Sequence, residues 1–210
     1  MNKHVLPNVA EFPFTIDFNK VNEYFLTIKD KFIDVRSANP MLCMNHEELV
    51  KDVYDNFEQI NLTNPSKILP YTENIKERLK RQEEHLYNVA TPFFKDTWLE
   101  NNLKKLFKAP VSRIRITKLS AGKTIPFHVD YNVDYAVRCI YPIETDKNVK
   151  NLFKRKNKIQ EYNLKAGKIY FLNVGFPHSV VNDSLNDRTA LMFSLKGTED
   201  LNFLQNNLCP

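Results

Sequence analysis

Residues 111–130 read VSRIRITKLSAGKTIPFHVD, and residues 168–196 read KIYFLNVGFPHSVVNDSLNDRTALMFSLK. Between Pro110 and Gly197 eight short apolar or β-branched runs follow one another: Arg113–Leu119, Thr124–Val129, Ala136–Glu144, Val149–Lys154, Ile159–Leu164, Lys168–Asn173, His178–Asn182 and Thr189–Lys196. Turn-formers separate most of them, at Ser120-Ala121-Gly122, Glu144-Thr145-Asp146, Ala166-Gly167 and the polar run from Asp183 to Asp187. Short strands at this spacing predict a sandwich or jelly roll, with residues at strand edges gathered at one end.

The edges of those strands carry His128-Val129-Asp130, then His178, then Arg188. Side chains i and i+2 of a strand share a face, so His128 and Asp130 can grip one ion while Val129 turns into the core. Two imidazoles and one carboxylate on one side of a divalent iron leave positions open for other ligands. His128, Asp130 and His178 supply that set, as metal ligands and as the catalytic centre. A His-x-Asp alone is weak evidence, and His178 alone would more often be a hydrogen-bonded structural histidine. The distal histidine, the arginine and the strand count agree independently. Arg188 stands ten residues after His178 across a polar turn, which predicts two adjacent antiparallel strands with both residues at one end. Its planar fork suits a carboxylate held by two hydrogen bonds, and the alternative is a surface ion pair with a nearby Asp.

With Ile116–Gly122, Arg138, Ile143-Glu144-Thr145, Gly167–Asn173 and His178–Asn182, this stretch resembles the Fe(II)- and 2-oxoglutarate-dependent dioxygenases. Within them it is most similar to the aspartyl/asparaginyl β-hydroxylase and proline hydroxylase branch. Nothing before Trp98 carries the likeness. The resemblance implies a mainly β double-stranded β-helix (jelly roll, cupin-like) supported by N-terminal helices. It implies Fe(II), 2-oxoglutarate as co-substrate and O₂, with hydroxylation of a C–H bond in an amino acid or peptidyl side chain. It makes Arg188 the anchor for the distal carboxylate of 2-oxoglutarate and Thr117, eleven residues before His128, a second contact; the plainer reading of Thr117 is a β-branched strand residue. Arg138 matches an arginine that faces substrate or co-substrate. Buried beside the metal it would need an anion, and with Arg188 committed to 2-oxoglutarate that anion is expected from a carboxylate-bearing substrate. Two departures lean towards the proline-hydroxylase side: Ile140 stands where the β-hydroxylases keep a histidine, and Asp130 supplies a metal carboxylate that they lack. Asp130 also argues against a halogenase. A nucleic-acid or modified-base oxygenase of the same fold, and a non-catalytic cupin-like metal-binding module, are the alternatives.

The 210 residues are expected to form one unit, residues 1–110 giving helical support and a substrate wall and residues 111–197 the β core. A 42% hydrophobic fraction with fifteen Phe argues against disorder. There is no apolar run long enough to span a bilayer and no secretory pattern at Met1–Pro7. Cys43, Cys139 and Cys209 are odd in number and widely spaced, which fits a reducing cytoplasm and leaves the sequons at Asn61 and Asn182 without meaning. The net charge of +5 gives nucleic acid little weight as a partner.

Helices are expected over Asp17–Phe32, from about His46 to Phe57, over a largely solvated Thr72–Tyr87, and from Asp96 to the stop at Ala109-Pro110, with a loop at Asn61–Leu69. His4, His46 and His85 pair with no second ligand. Tyr131 and Asn132 are candidates for the substrate wall. Lys147, Lys150, Lys154, Arg155, Lys156 and Lys158 form a basic hairpin, read as a solvated edge that discourages strand pairing.

Overall fold

The computed structural model describes residues 4–38, 57–70, 72 and 74–207. Its N-terminal half opens with strand β1 (Val9–Glu11) and helix α1 (Phe18–Ile28), whose first turn is capped by Asp17 accepting from the Lys20 N–H. Val21, Phe25 and Ile28, at helical spacing, form its buried face. Strand β2 (Ile33–Asp34), helix α2 (Val35–Ala38), β3 (Phe57–Asn61) and β4 (Thr63–Pro65) follow. Helices α3 (Ile75–Lys80) and α4 (Glu83–Leu86), strand β5 (Tyr87–Ala90) and helix α5 (Trp98–Leu106) complete this half.

Several expectations change here. The helix expected from His46 falls outside the described residues except at Phe57, which opens β3. The loop expected at Asn61–Leu69 contains β4, paired with β5. The long helix expected over Thr72–Tyr87 is broken in two by Gln82, whose backbone is left-handed at φ 55°. The second piece is not solvated: Glu83, Glu84 and His85 are all buried. Nor is the first half a helical layer alone, because β1, β2 and β3 extend the main sheet.

After Pro110 all eight expected strands form: β6 (Val111–Leu119), β7 (Thr124–His128), β8 (Val137–Glu144), β9 (Val149–Arg155), β10 (Lys158–Tyr162), β11 (Tyr170–Leu172), β12 (His178–Asn182) and β13 (Arg188–Leu195). The turns between them use the expected residues, with Gly122 and Gly167 at φ 69° and 77°, where a side chain would be strained. Pairing is antiparallel throughout. One sheet runs β1-β11-β8-β13-β6-β3-β2 and the other β10-β9-β12-β7. Consecutive strands from β6 to β9, and again from β11 to β13, alternate between the two sheets, the winding of a double-stranded β-helix, or jelly roll.

The pleat sorts the larger sheet into two faces. Its outer face carries Ile114 and Ile116 of β6, Cys139 and Tyr141 of β8, and Leu191 and Phe193 of β13, packed with Phe25 of α1 and Leu99 and Leu103 of α5. Phe107 meets Phe193 with ring centroids 5.2 Å apart. Its inner face carries Ile140, Leu172 and Ala190, which pack with Phe153 of the smaller sheet. Most of the apolar core therefore lies outside the roll, and the space between the sheets is free to be polar. β10 is an edge strand with an exposed surface, as the basic hairpin predicts. Arg155 departs from that pattern: it donates to the Leu6 carbonyl at 2.9 Å and lies over the Phe176 ring.

Phe193 has no solvent exposure. We predict that Phe193→Ala destabilises the fold by about 3–5 kcal/mol, the usual result of emptying a close-packed aromatic site. Urea unfolding followed by tryptophan fluorescence measures it, and a loss under 1 kcal/mol would show that the outer core is not what holds the main sheet.

Candidate metal centre

β7 and β12 are neighbours in the smaller sheet, and their register makes His128 and His178 direct partners. Directly opposed residues have Cβ atoms about 4.5–5.5 Å apart, and here the two ring centroids are 4.2 Å apart. Asp130 lies just beyond the end of β7, where its N–H donates to the Val174 carbonyl at 3.1 Å. One ligand atom from each of His128, Asp130 and His178 lies within 4.8 Å of the other two. The intervening Val129 is 55% exposed, so it does not turn into the core: the strand ends at His128, and the pleat that would have buried it ends there too.

Each imidazole is oriented by its own chain. Nδ1 of His128 is 2.8 Å from the Pro126 carbonyl, and Nδ1 of His178 is 3.0 Å from that of Phe176. A carbonyl only accepts, so both Nδ1 atoms carry a proton, and Nε2 is the atom of each ring that is left to face an ion. Burial, then the neighbouring His128, push the His178 pKa down to about 4 against the pull of Asp130. Metal bonds of about 2.0–2.2 Å put neighbouring donors about 3 Å apart, so small side-chain rotations close the set on one ion. Two imidazole Nε2 atoms and a carboxylate, with cavity on the open side, suit a divalent transition metal.

The three residues line a cavity of about 550 Å³ between the sheets, together with Arg188. Arg188 does not stand beside His178 on an adjacent strand. β12 runs away from His178, the 183–187 turn crosses between the sheets, and β13 starts where β12 ended. Arg188 consequently pairs with Leu119, at the other end of the roll from His128. It is 3% exposed, has no ion-pair partner among the described residues, and burial lowers its pKa to about 10. Thr117 is fully buried, and its hydroxyl donates to the Ala190 carbonyl at 3.3 Å.

Arg138 faces the cavity beside Ile140, as strand alternation requires, but its anion is already present in the protein. Its Nη1 is 3.1 Å from Glu84 and its Nη2 is 3.5 Å from Asp130. Burial of this guanidinium therefore does not by itself call for a carboxylate from a substrate. Glu84 comes from the helix expected to be solvated. It accepts from Tyr131 Oη and Ser194 Oγ, each at 2.7 Å, and pairs with Arg113 at 3.4 Å. Despite burial, Arg113, Arg138 and Arg115 hold its carboxyl well below the usual range. Arg115, also in the cavity wall, has no ion-pair partner among the described residues; burial and then Arg138 and Arg113 lower its pKa to about 9. A sequence signal for Arg115 existed: it alternates with Ile114 and Ile116, so it had to face away from the outer core. Glu84 had none.

A jelly roll that gathers two imidazoles and a carboxylate at one end of its inner cavity belongs to the cupin-like class of folds. A family profile, Aspartyl/Asparaginyl beta-hydroxylase, matches residues 76–197, more than half of the chain, and the chain belongs to that family, one of hydroxylases. No curated protein matches. Among solved structures, an oxidoreductase of the 2OG-Fe(II) oxygenase family from Burkholderia pseudomallei is 12% identical, with 90% of this chain and 96% of that one covered at a TM-score of 0.42. A cupin domain from Bordetella pertussis Tohama I is 17% identical, covering 41% and 82% at 0.33. A predicted oxalate decarboxylase from Thermotoga maritima is 20% identical, covering 44% and 72% at 0.31.

The depressed His178 pKa has a consequence for stability. The unfolded chain binds a proton near pH 6.5, which the fold refuses until about pH 4, so stability is lost as pH falls through that window. We predict that the metal-free protein loses on the order of 3 kcal/mol there through this group. Urea titrations in chelator across pH 4–7 should show a shallower dependence for His178→Asn, and equal slopes would show that His178 is not buried uncharged.

Proposed function

We propose that this hydroxylase uses Fe(II), held by His128, Asp130 and His178, with 2-oxoglutarate and O₂, to hydroxylate a C–H bond of an amino acid or peptidyl side chain. The observation that carries the reading is the sharing of one cavity by the His-Asp-His cluster and Arg188, a buried cation without an ion-pair partner among the described residues. When bound, iron and its co-substrate would supply the oxidising power, with succinate and CO₂ as co-products. The chain's own share is positioning and exclusion of water. The Pro126 and Phe176 carbonyls fix the imidazoles, and Arg188 offers a charge-assisted fork to the distal carboxylate of 2-oxoglutarate. Thr117 would join that contact by releasing the Ala190 carbonyl.

The substrate is proposed to carry a carboxylate, on a different ground from Arg138. Arg113, Arg115 and Arg138 surround Glu84 in one wall of the cavity, and Arg115 in particular is buried with no ion-pair partner within 4 Å among the described residues. A buried cation is costly until it is paired, and an anionic group on the substrate would pair it. The free, buried Cys139 agrees with the proposed cytoplasmic setting.

Purified protein with Fe(II) and 2-oxoglutarate should release succinate, and His128→Ala or His178→Ala should abolish it. Arg188→Leu should raise the 2-oxoglutarate requirement roughly ten- to a hundredfold, the worth of a charge-assisted pair of about 1.5–3 kcal/mol, with metal binding nearly intact. No succinate from the wild type would remove the proposal, and an unchanged requirement in Arg188→Leu would place the anchor elsewhere.

A further inference from the structure

Arg138 is shared between two carboxylates. Its Nη1 is 3.1 Å from Glu84 Oε1 as an ion pair without hydrogen-bond alignment, and its Nη2 makes a long hydrogen bond of 3.5 Å to Asp130 Oδ2. Asp130 has a competing task in the proposed centre, because a carboxylate engaged by a guanidinium gives less electron density to a metal. Glu84 is equipped to win the competition. It is 7% exposed, and hydroxyls of Tyr131 and Ser194 both point at Oε1. Its N–H also donates to Tyr135 Oη at 3.0 Å. Two hydroxyls thus hold the carboxylate and a third holds the backbone that carries it, with Arg138 reaching both Glu84 and Asp130. Tyr131 adds a covalent link, since it is the neighbour of Asp130 in the chain, and the Arg138 guanidinium lies 5.1 Å from its ring.

We infer that Glu84 is a positioning residue for the metal centre: it draws Arg138 towards itself and keeps the contact of the guanidinium with Asp130 long, so that Asp130 remains a stronger ligand than it would be in a close ion pair. The inference rests on the triad binding a metal. Without the Glu84 charge, Asp130 is the carboxylate left within ion-pair reach of Arg138 among the described residues, and the guanidinium would swing to it. Helix α4, remote in sequence from every ligand, would thereby set the affinity of the site. Partners of this outer kind commonly change metal affinity ten- to a hundredfold.

The test titrates Co(II) into metal-free protein without co-substrate, read by the visible d–d bands of the bound ion. Glu84→Gln should weaken Co(II) binding about tenfold, and adding Arg138→Met to it should restore affinity to within about twofold of Arg138→Met alone. A packing role for Glu84 would predict no rescue, so a double variant as weak as Glu84→Gln overturns the inference, as does unchanged binding in Glu84→Gln. If Glu84→Gln does not fold by circular dichroism, Arg138→Met decides: tighter Co(II) binding than wild type supports the competition, and equal or weaker binding overturns it. Wild-type protein that binds no Co(II) would instead overturn the metal reading itself, a result distinct from any variant effect.

Discussion

The register between β7 and β12 is the constraint on which the site depends. His128 faces His178 across that ladder, and the side-chain period of a strand is two, so a slip of one residue would send one imidazole to the opposite face. Nothing in the histidines themselves prevents the slip. It is prevented by the apolar alternation of the strands around them and by the short Ser120–Lys123 turn that delivers β7. Asn182 closes the same end, donating to the carbonyls of Leu119, Ser120 and Asn186. The fold therefore specifies the donor set, and a metal would then only draw it together.

Arginines crowd the polar interior, and the arrangement is tolerable because the core has been placed elsewhere. With Phe94, Leu99, Leu103, Phe107 and Phe193 packed on the outer face of the larger sheet, the inner face does not have to be apolar for the protein to be stable. Glu84 then neutralises part of a cluster whose desolvation would otherwise drive Arg115 and Arg138 out of the cavity. Among the described residues, the first hundred shape the cavity wall in this way and supply none of the three residues of the His-Asp-His cluster.

The strands after Pro110 could be read because each is short, bounded by turn residues and half-buried, so alternation and punctuation agree. His128, Asp130 and His178 could be read as residue types at strand edges but not in their geometry, since His178 comes from a separate strand and Asp130 lies past the end of β7, held by its N–H to the Val174 carbonyl. Other features depended on chain crossings that leave no local trace. The polar turn before Arg188 looks like a hairpin but passes between sheets, which moves the arginine to the far end of the roll. Glu84 sits in a run of charges that has the composition of a solvated helix, and its burial follows from the left-handed turn at Gln82, a residue with no special tendency towards that conformation. Val129 escapes the alternation because the pleat stops at His128, the end of the strand.

Among the described residues β7 is the last strand of its sheet, paired on one side, and its residues are largely exposed, whereas β12 is flanked on both sides. The two imidazoles thus belong to parts of the molecule with different local stability. Edge segments open at lower free energy than strands in the middle of a sheet, so an opening of β7 would remove His128 and leave His178 in place. Occupancy of the site and order in β7 become a single equilibrium, and a tightly bound ion would act as the missing neighbour of an unfinished sheet.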